Sequence, residues 1–130
     1  MPRITHISLK VDDLASASSL YESVFGFRYM STAHSAGHVS RNLSDGSTYL
    51  TLMQYESEQA PEALLSGPGP VIHHFGVEVD DLDTYETRLR DAGCEILSGS
   101  VERPPIKFRT PAGIVAELLA HNTMATAGKR

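Results

Sequence analysis

Apolar and polar residues alternate in two short stretches of the chain, residues 4–14 and 72–82. An alternation with a period of two is typical of a β-strand that buries one face and leaves the other polar. The apolar positions are Ile7, Leu9 and Val11 in the first stretch and Phe75, Val77 and Val79 in the second. The pattern therefore predicts two strands, and we expect their apolar faces to pack on helices.

The two stretches are copies of one another. When the chain is shifted by 68 residues, six of the eleven positions are identical. The identical pairs are Ile4/Ile72, His6/His74, Val11/Val79, Asp12/Asp80, Asp13/Asp81 and Leu14/Leu82. Identity at a constant offset indicates an internal duplication, so each half of the chain is expected to fold in the same way.

An amphipathic helix and three further short strands are predicted after each copy. An Asp pair ends each first strand, and an Asp at this place caps a helix by accepting a hydrogen bond from a first-turn N–H. The apolar helix positions are Leu14, Ala17, Leu20, Tyr21 and Val24 in the first copy and Leu82, Tyr85, Leu89 and Ala92 in the second. Gly26 and Gly93 stand where these helices should end. Turns at residues 45–46 and 111–113 should join the last two strands of each copy.

The predicted fold class is α+β, with two tandem βαβββ modules in a single domain that covers residues 1–130. The first module covers residues 4–56 and the second covers residues 71–121. Between them, residues 57–70 contain three of the seven prolines and are expected to form a linker. Residues 122–130 form a tail, of which residues 124–130 are expected to fray.

Composition narrows the class of protein. The 130 residues carry a formal net charge of −5 and no basic cluster interleaved with aromatic residues, so nucleic acid is not an expected partner. No apolar run approaches the roughly 18 to 20 residues of a membrane span, and the first residues do not have the pattern of a signal peptide. Cys94 is the single cysteine, which fits a reducing compartment. We therefore expect a soluble, cytoplasmic protein of one domain.

Two histidines and one glutamate form a candidate metal site. His6 and His74 occupy equivalent positions in the two copies, on the polar face of each first strand. Glu117 is a carboxylate within the apolar stretch GIVAELLA, where burial is costly unless the charge is paired or bound to a cation. Two imidazoles and a carboxylate suit one divalent ion (Fe2+, Mn2+, Zn2+ or Ni2+), with positions left open for substrate and water.

The other histidines are not expected to be ligands. His73 is adjacent to His74, so strict alternation along the strand directs it to the helix side of the sheet. His34, His38 and His121 lie outside the correspondence between the two copies. Among these three, His38 is a candidate to line a pocket.

The stretches that carry these residues resemble the vicinal oxygen chelate superfamily. It groups glyoxalase I, type I extradiol dioxygenases, methylmalonyl-CoA epimerase, fosfomycin-resistance thiol transferases and bleomycin-binding proteins. The resemblance covers residues 3–121 and rests on THISLKVDDL with LYESVFGF, on HHFGVEVDDLDTYETRLRDAGCEI and on RTPAGIVAEL. It implies curved sheets that form a cup around one metal ion, with ligand positions that match His6, His74 and Glu117. A homodimer is expected, because such open sheets leave edges that need covering.

The resemblance also raises the question of a fourth ligand. Glyoxalase I and methylmalonyl-CoA epimerase resemble four-ligand proteins, with a Glu or Gln on the last strand of the first module. Counted from the turn glycines, the counterpart of Glu117 in this chain is Leu50, or Thr51 with one residue of slip, and neither is a credible ligand. A shift in register would bring Gln54 or Glu56 to this place. Three protein ligands are therefore predicted.

A three-ligand site of this kind resembles that of the extradiol dioxygenases, and the sequence motifs HHF and RTPxG…E are most similar to theirs. That family has an acid–base tyrosine ten residues before its glutamate ligand, where this chain has Lys107. Lys107, Arg109 and Tyr49 are the candidate catalytic residues, and Arg41 and Tyr55 are further candidates to line the cup. Lys107 and Arg109 either hold an anionic substrate or are solvated strand residues.

The expected function is that of a metal-dependent enzyme, dioxygenase-like or glyoxalase-like, acting on a small substrate that chelates the metal through neighbouring oxygens. The alternatives are a glyoxalase I or epimerase type of isomerase and a non-catalytic, bleomycin-type binding protein. The resemblance argues against fosfomycin as the substrate, since Pro104 and Pro105 stand where a phosphonate pocket would want serines.

Overall fold

The computed structural model describes residues 1–124, which form one sheet with two helices. The elements are, in chain order, β1 (Arg3–Lys10), α1 (Leu14–Phe25), β2 (Arg28–Ser35), β3 (His38–Ser44), β4 (Tyr49–Tyr55), β5 (Val71–Val79), α2 (Leu82–Asp91), β6 (Glu95–Ser98), β7 (Ile106–Arg109) and β8 (Val115–Ala120). Neither helix in this part of the chain has the length and apolar character needed to cross a membrane.

The order of the strands has the symmetry that the repeat predicts. The sheet runs β2-β3-β4-β1-β5-β8-β7-β6, so the second module repeats the first in mirrored order. Within each module the first strand pairs in parallel with the last, β1 with β4 and β5 with β8. The modules join through antiparallel pairing of β1 and β5. The α+β fold with two tandem βαβββ modules is thus confirmed, and the two first strands lie side by side at the centre.

Both helices begin and end where the sequence predicts. The carboxylate of Asp13 accepts a hydrogen bond from the N–H of Ala15, and that of Asp81 accepts one from the N–H of Thr84. Gly26 follows α1 with a φ of 72°, a left-handed conformation that ends a helix without strain only for glycine. Each cap stabilises its helix by about 0.5–2 kcal/mol. The caps therefore fix the length of each helix between its two neighbouring strands.

The two helices lie on one side of the sheet. Each helix forms a hydrophobic cluster with the strands of its own module. The first cluster contains Leu14, Leu43 and Leu52, and the second contains Val79, Ile106, Phe108, Ala116 and Leu118. Full burial of such a side chain contributes roughly 1.5–3 kcal/mol. These clusters hold the strands in the register that defines the opposite, helix-free side of the sheet.

The centre of the helix-bearing side is uncovered, and the prediction that Ile7 packs on a helix is wrong. Helix α1 lies mainly against β3 and β4 and helix α2 mainly against β8 and β6, which leaves much of β1 and β5 without a helix over them. Ile7 is 38% exposed, and Ile4 and Ile72 on the same side are 56% and 67% exposed. These three side chains form an apolar surface that we call the central stripe.

The segment between the modules is packed against the sheet. Lys10 is buried on the helix-free side, and its Nζ donates hydrogen bonds to the carbonyl oxygens of Ala63 (2.6 Å) and Gly67 (2.8 Å). Ala63 itself is fully buried. A lysine ammonium needs such acceptors when it leaves water. Residues 57–70 are therefore held in a fixed position next to the candidate site.

The start of the predicted tail is also packed. The backbone N–H groups of Asn122 and Met124 donate hydrogen bonds to the buried carboxylate of Glu78, each at 3.0 Å. Met124 is buried, so the expectation of fraying is wrong for this residue. The remainder of the tail, residues 125–130, lies outside the described residues.

Candidate metal centre

His6, His74 and Glu117 lie together on the helix-free side of the sheet. They stand on the adjacent strands β1, β5 and β8, and the three residues are 3%, 5% and 6% exposed. The Glu117 Oε1 atom is 3.1 Å from His6 Nε2 and 3.4 Å from His74 Nε2. One ligand atom from each residue lies within 4.8 Å of the other two. The structure therefore brings the three residues that the repeat singled out to one point.

The electrostatics of this cluster fit a divalent cation. Burial opposes ionisation of Glu117, but a hydrogen bond from His6 and the nearby imidazole of His74 hold the pKa of its carboxyl well below the usual range. Burial lowers the pKa of His74, which favours the neutral imidazole that a metal requires. In addition, His6 Nδ1 is buried and has no hydrogen-bond partner among residues 1–124. An ionised carboxylate between two imidazoles is a donor set suited to Zn2+, Fe2+, Mn2+ or Ni2+.

A cavity of about 420 Å³ opens over the three donors. Its wall carries several hydroxyl and amide groups, together with the cationic side chain of Lys107 and two methionines. These residues are Ser8, Ser40, Asn42, Thr51, Lys107, Met53 and Met124. A small polar molecule fits this volume, and the hydroxyl groups supply hydrogen-bond donors and acceptors along its length.

The place of a fourth ligand is occupied by Thr51. Ser8 pairs with Thr51 in the first module, and its repeat counterpart Gly76 pairs with Glu117 in the second. Leu50 instead packs in the hydrophobic cluster under α1. Thr51 is already engaged, because its hydroxyl donates to Asn42 Oδ1 at 2.7 Å. The one-residue slip thus identifies the structural counterpart of Glu117.

The two residues that a shift in register would bring to this place do not reach the centre. The side-chain oxygen of Gln54 accepts a hydrogen bond from the N–H of Leu14 at 2.8 Å, which places it at the start of α1. Glu56 is exposed beyond the end of β4. Within residues 1–124, the group of potential ligand atoms at the centre contains His6, His74 and Glu117 only.

Lys107 and Arg109, the two candidate cationic residues, have different surroundings. Lys107 is buried in the cavity wall, with its Nζ 3.0 Å from Glu62 Oε1 and 3.7 Å from Glu117 Oε2. Arg109 is not among the residues that line the cavity. Its guanidinium donates hydrogen bonds to the carbonyl oxygens of Gly113 and Leu65, both at 3.1 Å. Arg109 therefore ties the β7–β8 turn to the inter-module segment.

Two further candidates lie away from the cavity. Tyr49 pairs with His6 across β1 and β4, but it is not part of the cavity wall. The guanidinium of Arg41 lies over the ring of Tyr29 at 5.6 Å from its centroid, and Arg41 alternates with the cavity residues of β3. Neither residue is part of the cavity wall.

Tyr55 packs beside the site. Its ring centroid lies 5.0 Å from that of His38, which lines the cavity as expected, and 6.0 Å from that of His73. Burial, followed by the negative charge of Glu62, raises the pKa of Tyr55 above its ordinary value. The phenol is thus a neutral neighbour of the two histidines.

His73 does not face the helix side, contrary to the prediction from strict alternation. Ser8 pairs with His74 but Leu9 pairs with Ile72, so His73 is the extra residue of a β-bulge. Its Nδ1 lies 2.8 Å from His74 Nδ1, and its Nε2 lies 2.6 Å from the carbonyl oxygen of Glu62. Burial lowers the pKa of His73 to about 4.

Sequence reasoning missed Glu62, and it assigned no role to the buried Lys10 or to Gly76. The pairing of Glu62 with Lys107 joins residues that are 45 positions apart. Gly76 is different, because its place opposite His6 follows from the repeat together with antiparallel pairing of the two first strands. An argument from pairing would therefore have found Gly76, but not Glu62.

Comparison with known protein families assigns the chain to a superfamily. The model of the Glyoxalase/Bleomycin resistance protein/Dioxygenase superfamily matches residues 3–118. The chain belongs to this superfamily, and the resemblance to vicinal oxygen chelate proteins is confirmed.

Among curated proteins, the chain is similar to metallothiol transferase FosB of Shouchella clausii (strain KSM-K16). The two are 30% identical over 131 residues, which cover 91% of this chain and 85% of the relative. Among solved structures, a hypothetical protein of Bacillus halodurans C-125 matches with a TM-score of 0.79 at 16% identity, covering 92% of this chain and 94% of that one. The methylmalonyl-CoA epimerase of Mycobacterium tuberculosis matches with a TM-score of 0.74 at 23% identity, covering 95% and 91%. The two structures share the fold of this chain.

Proposed function

We propose that this chain is an enzyme that holds one divalent metal ion with His6, His74 and Glu117 and acts on a small anionic substrate. The observation that carries the proposal is the convergence of these three buried donors beneath the cavity, with Lys107 beside them. A bound ion would act as a Lewis acid toward two neighbouring oxygens of the substrate. The chemistry is therefore expected at a site shared by the two modules.

The cavity residues have separate roles in this proposal. Glu62 and Glu117 hold the ammonium of Lys107 in the wall, where it faces the same space as the metal donors. A cation fixed in a buried site stabilises negative charge on a substrate more strongly than one in water does. Ser8, Ser40 and other polar side chains of the wall orient the substrate by hydrogen bonds.

Replacement of Lys107 by methionine tests the role of the cation. We expect the affinity of the Zn(II)-loaded protein for oxalate, a dianion with two neighbouring oxygens, to fall about 10- to 100-fold, since a hydrogen bond to a charged group contributes about 1.5–3 kcal/mol. Titration calorimetry measures the affinity, and elemental analysis checks that the metal content is unchanged. The exposed cation Arg103, replaced by methionine, is the control. If the Lys107 variant binds oxalate as tightly as the unmodified protein, Lys107 does not contact the substrate.

For the reaction itself, we propose a dioxygenase-type conversion of a catechol-like substrate. With Thr51 in place of a fourth ligand, three protein donors leave room for two substrate oxygens and a further small molecule. Fe(II)-loaded protein prepared without air should take up oxygen with some member of a catechol panel. Oxygen uptake that stays at background across the panel would contradict this proposal. If the Ni(II) or Zn(II) protein also turns over a methylglyoxal–thiol adduct, the reaction is the glyoxalase-type isomerisation instead.

Thiol transfer is a second candidate reaction. It is favoured by the 30% identity with a protein named a metallothiol transferase. Against it, Pro105 forms part of the cavity wall where a phosphonate pocket would want a hydroxyl group. Consumption of a free thiol by the loaded protein in the presence of a small epoxide identifies this reaction. If elemental analysis finds no bound ion after reconstitution, the chain is better explained as a non-catalytic binding protein than as a dioxygenase, an isomerase or a thiol transferase.

We also propose that the protein forms a homodimer through the central stripe. Ile4, Ile7 and Ile72 expose apolar surface between the two helices, and a second copy would bury it against the same stripe. Light scattering coupled to size-exclusion chromatography should give a mass twice the 14.1 kDa of one chain. Replacement of Ile72 by glutamate should yield the monomer, and a monomeric unmodified protein would contradict the proposal.

We also propose that the protein works in the cytoplasm and does not bind nucleic acid. The free thiol of Cys94 fits the reducing cytoplasm. A formal net charge of −5 disfavours nucleic acid as a partner. We therefore place the substrate among small cytoplasmic metabolites.

A further inference from the structure

Two consecutive histidines of β5 point to the same side of the sheet because of the bulge at His73. Both are almost fully buried, and their ring planes are nearly perpendicular at 76° with centroids 5.0 Å apart. Only His74 belongs to the group of metal donors. His73 therefore lies directly behind a candidate ligand, on the side of its ring away from the metal centre.

The contacts of His73 determine where the protons of both rings lie. A carbonyl oxygen can only accept, so the 2.6 Å contact between His73 Nε2 and the Glu62 carbonyl places a proton on Nε2. With its proton on Nε2, the neutral imidazole of His73 presents a lone pair on Nδ1. The 2.8 Å contact between the two Nδ1 atoms requires one proton, which must belong to His74. His74 Nε2 is consequently left with a free lone pair.

This lone pair faces the metal centre, since His74 Nε2 is the atom 3.4 Å from Glu117 Oε1. In water, a histidine side chain is not confined to the tautomer with a proton on Nδ1. We propose that His73 is a positioning residue that fixes His74 in its metal-binding tautomer and ring orientation, by relaying a hydrogen bond from the backbone of Glu62. The inference rests on the proposed metal site, and it assigns a role to the inter-module segment that bears Glu62.

The carbonyl at the end of the relay is held in place by other contacts. Lys10 Nζ donates to the carbonyl oxygens of Ala63 and Gly67, on either side of the segment's last turn. The hydroxyl of Ser66 donates to the carbonyl oxygen of His73, which ties the bulge to the same segment. A partner that orients a ligand histidine typically affects metal affinity about 10- to 100-fold. Because its backbone is fixed, the carbonyl group of Glu62 can orient His74 through His73.

Two variants of His73 separate the relay from packing. His73→Leu fills the space without an acceptor, and we expect the dissociation constant for Zn(II), measured by competition with a chromophoric chelator, to rise about 10- to 100-fold. His73→Asn returns an acceptor oxygen near the position of Nδ1, and its affinity should stay within about fivefold of the unmodified protein. Equal affinity in His73→Leu, or equal losses in both variants, would overturn the proposal.

Nuclear magnetic resonance of the full chain tests the tautomer directly. Two-bond correlations between ring protons and ¹⁵N should show His74 with a protonated Nδ1 and an unprotonated Nε2, both without metal and with Zn(II). His73→Leu should abolish this preference in the metal-free protein. A proton on Nε2 of His74 in the unmodified metal-free protein would refute the relay. If Zn(II) fails to bind while the Nδ1 proton is present, the proposed metal function is wrong and the relay stands.

Discussion

Replacement of His74 by alanine is expected to lower the affinity of the chain for Zn(II) or Ni(II) by more than about 100-fold, beyond what loss of a supporting residue causes. The imidazole is one of three buried donors, and its removal leaves Glu117 and His6 to hold the ion. Metal affinity of a site depends on the number of its ligands and on the fixed geometry between them. Competition with a chromophoric chelator measures the loss.

His34→Ala is the matched control for this substitution. His34 is an exposed histidine of β2, so its removal tests non-specific binding by surface imidazoles. The control should keep the affinity of the unmodified protein and a content of about one ion per chain. A similar loss in both variants, or equal affinity of the His74 variant and the unmodified protein, would show that the ion is bound elsewhere.

The repeat explains why so much of the fold could be predicted from the sequence. Identity at six of the eleven compared positions implies two equivalent modules, and alternation in β1 and β5 identifies the side of the sheet that bears His6 and His74. Pseudo-symmetry then brings equivalent residues of the two central strands together. Glu117 could be found because a carboxylate in an apolar strand needs a partner. These inferences depend on local pattern and on symmetry, both of which a sequence displays.

The errors have a common physical origin. The bulge in β5 adds one residue to the strand, which reverses the direction of His73, and no alternation rule anticipates such an insertion. Ile7 was expected under a helix, but its cover depends on how far the helices extend over the central strands. Arg109 was a candidate to line the cup, yet its guanidinium donates a hydrogen bond to the carbonyl oxygen of Leu65 in the inter-module segment. Each error concerns a contact between parts of the chain whose relative position the sequence does not encode locally.

Gly76 shows how closely the first module and the second fit together at the metal centre. It pairs with His6 across β1 and β5, and the imidazole of His6 lies over its backbone. A Cβ atom on residue 76 would stand 2.1 Å from Cε1 of His6 and 2.9 Å from a methyl carbon of Leu119. Because these distances are far below van der Waals contact, the ring of His6 cannot keep its place beside any side chain at residue 76.

Gly76→Ala is therefore expected to reduce metal affinity nearly as much as His6→Ala does. The ring of His6 must turn away, which breaks its 3.1 Å contact with Glu117 and removes it from the donor set. The fold should persist, since alanine is tolerated in a strand better than glycine is. Ser8→Ala is the control, because Ser8 is the counterpart of Gly76 in the repeat. Its alanine variant should bind Zn(II) as tightly as the unmodified protein.

A double-mutant cycle decides whether Gly76 acts through the imidazole of His6. Once His6 is alanine there is no ring to displace, so adding Gly76→Ala should change the affinity for Zn(II) by less than about threefold, within the usual error of additivity. The same substitution in the unmodified protein should produce nearly the full loss. If the two losses simply multiply, then Gly76→Ala disturbs the site by another route, such as the contact with Leu119. In that case the glycine has no specific role in placing His6.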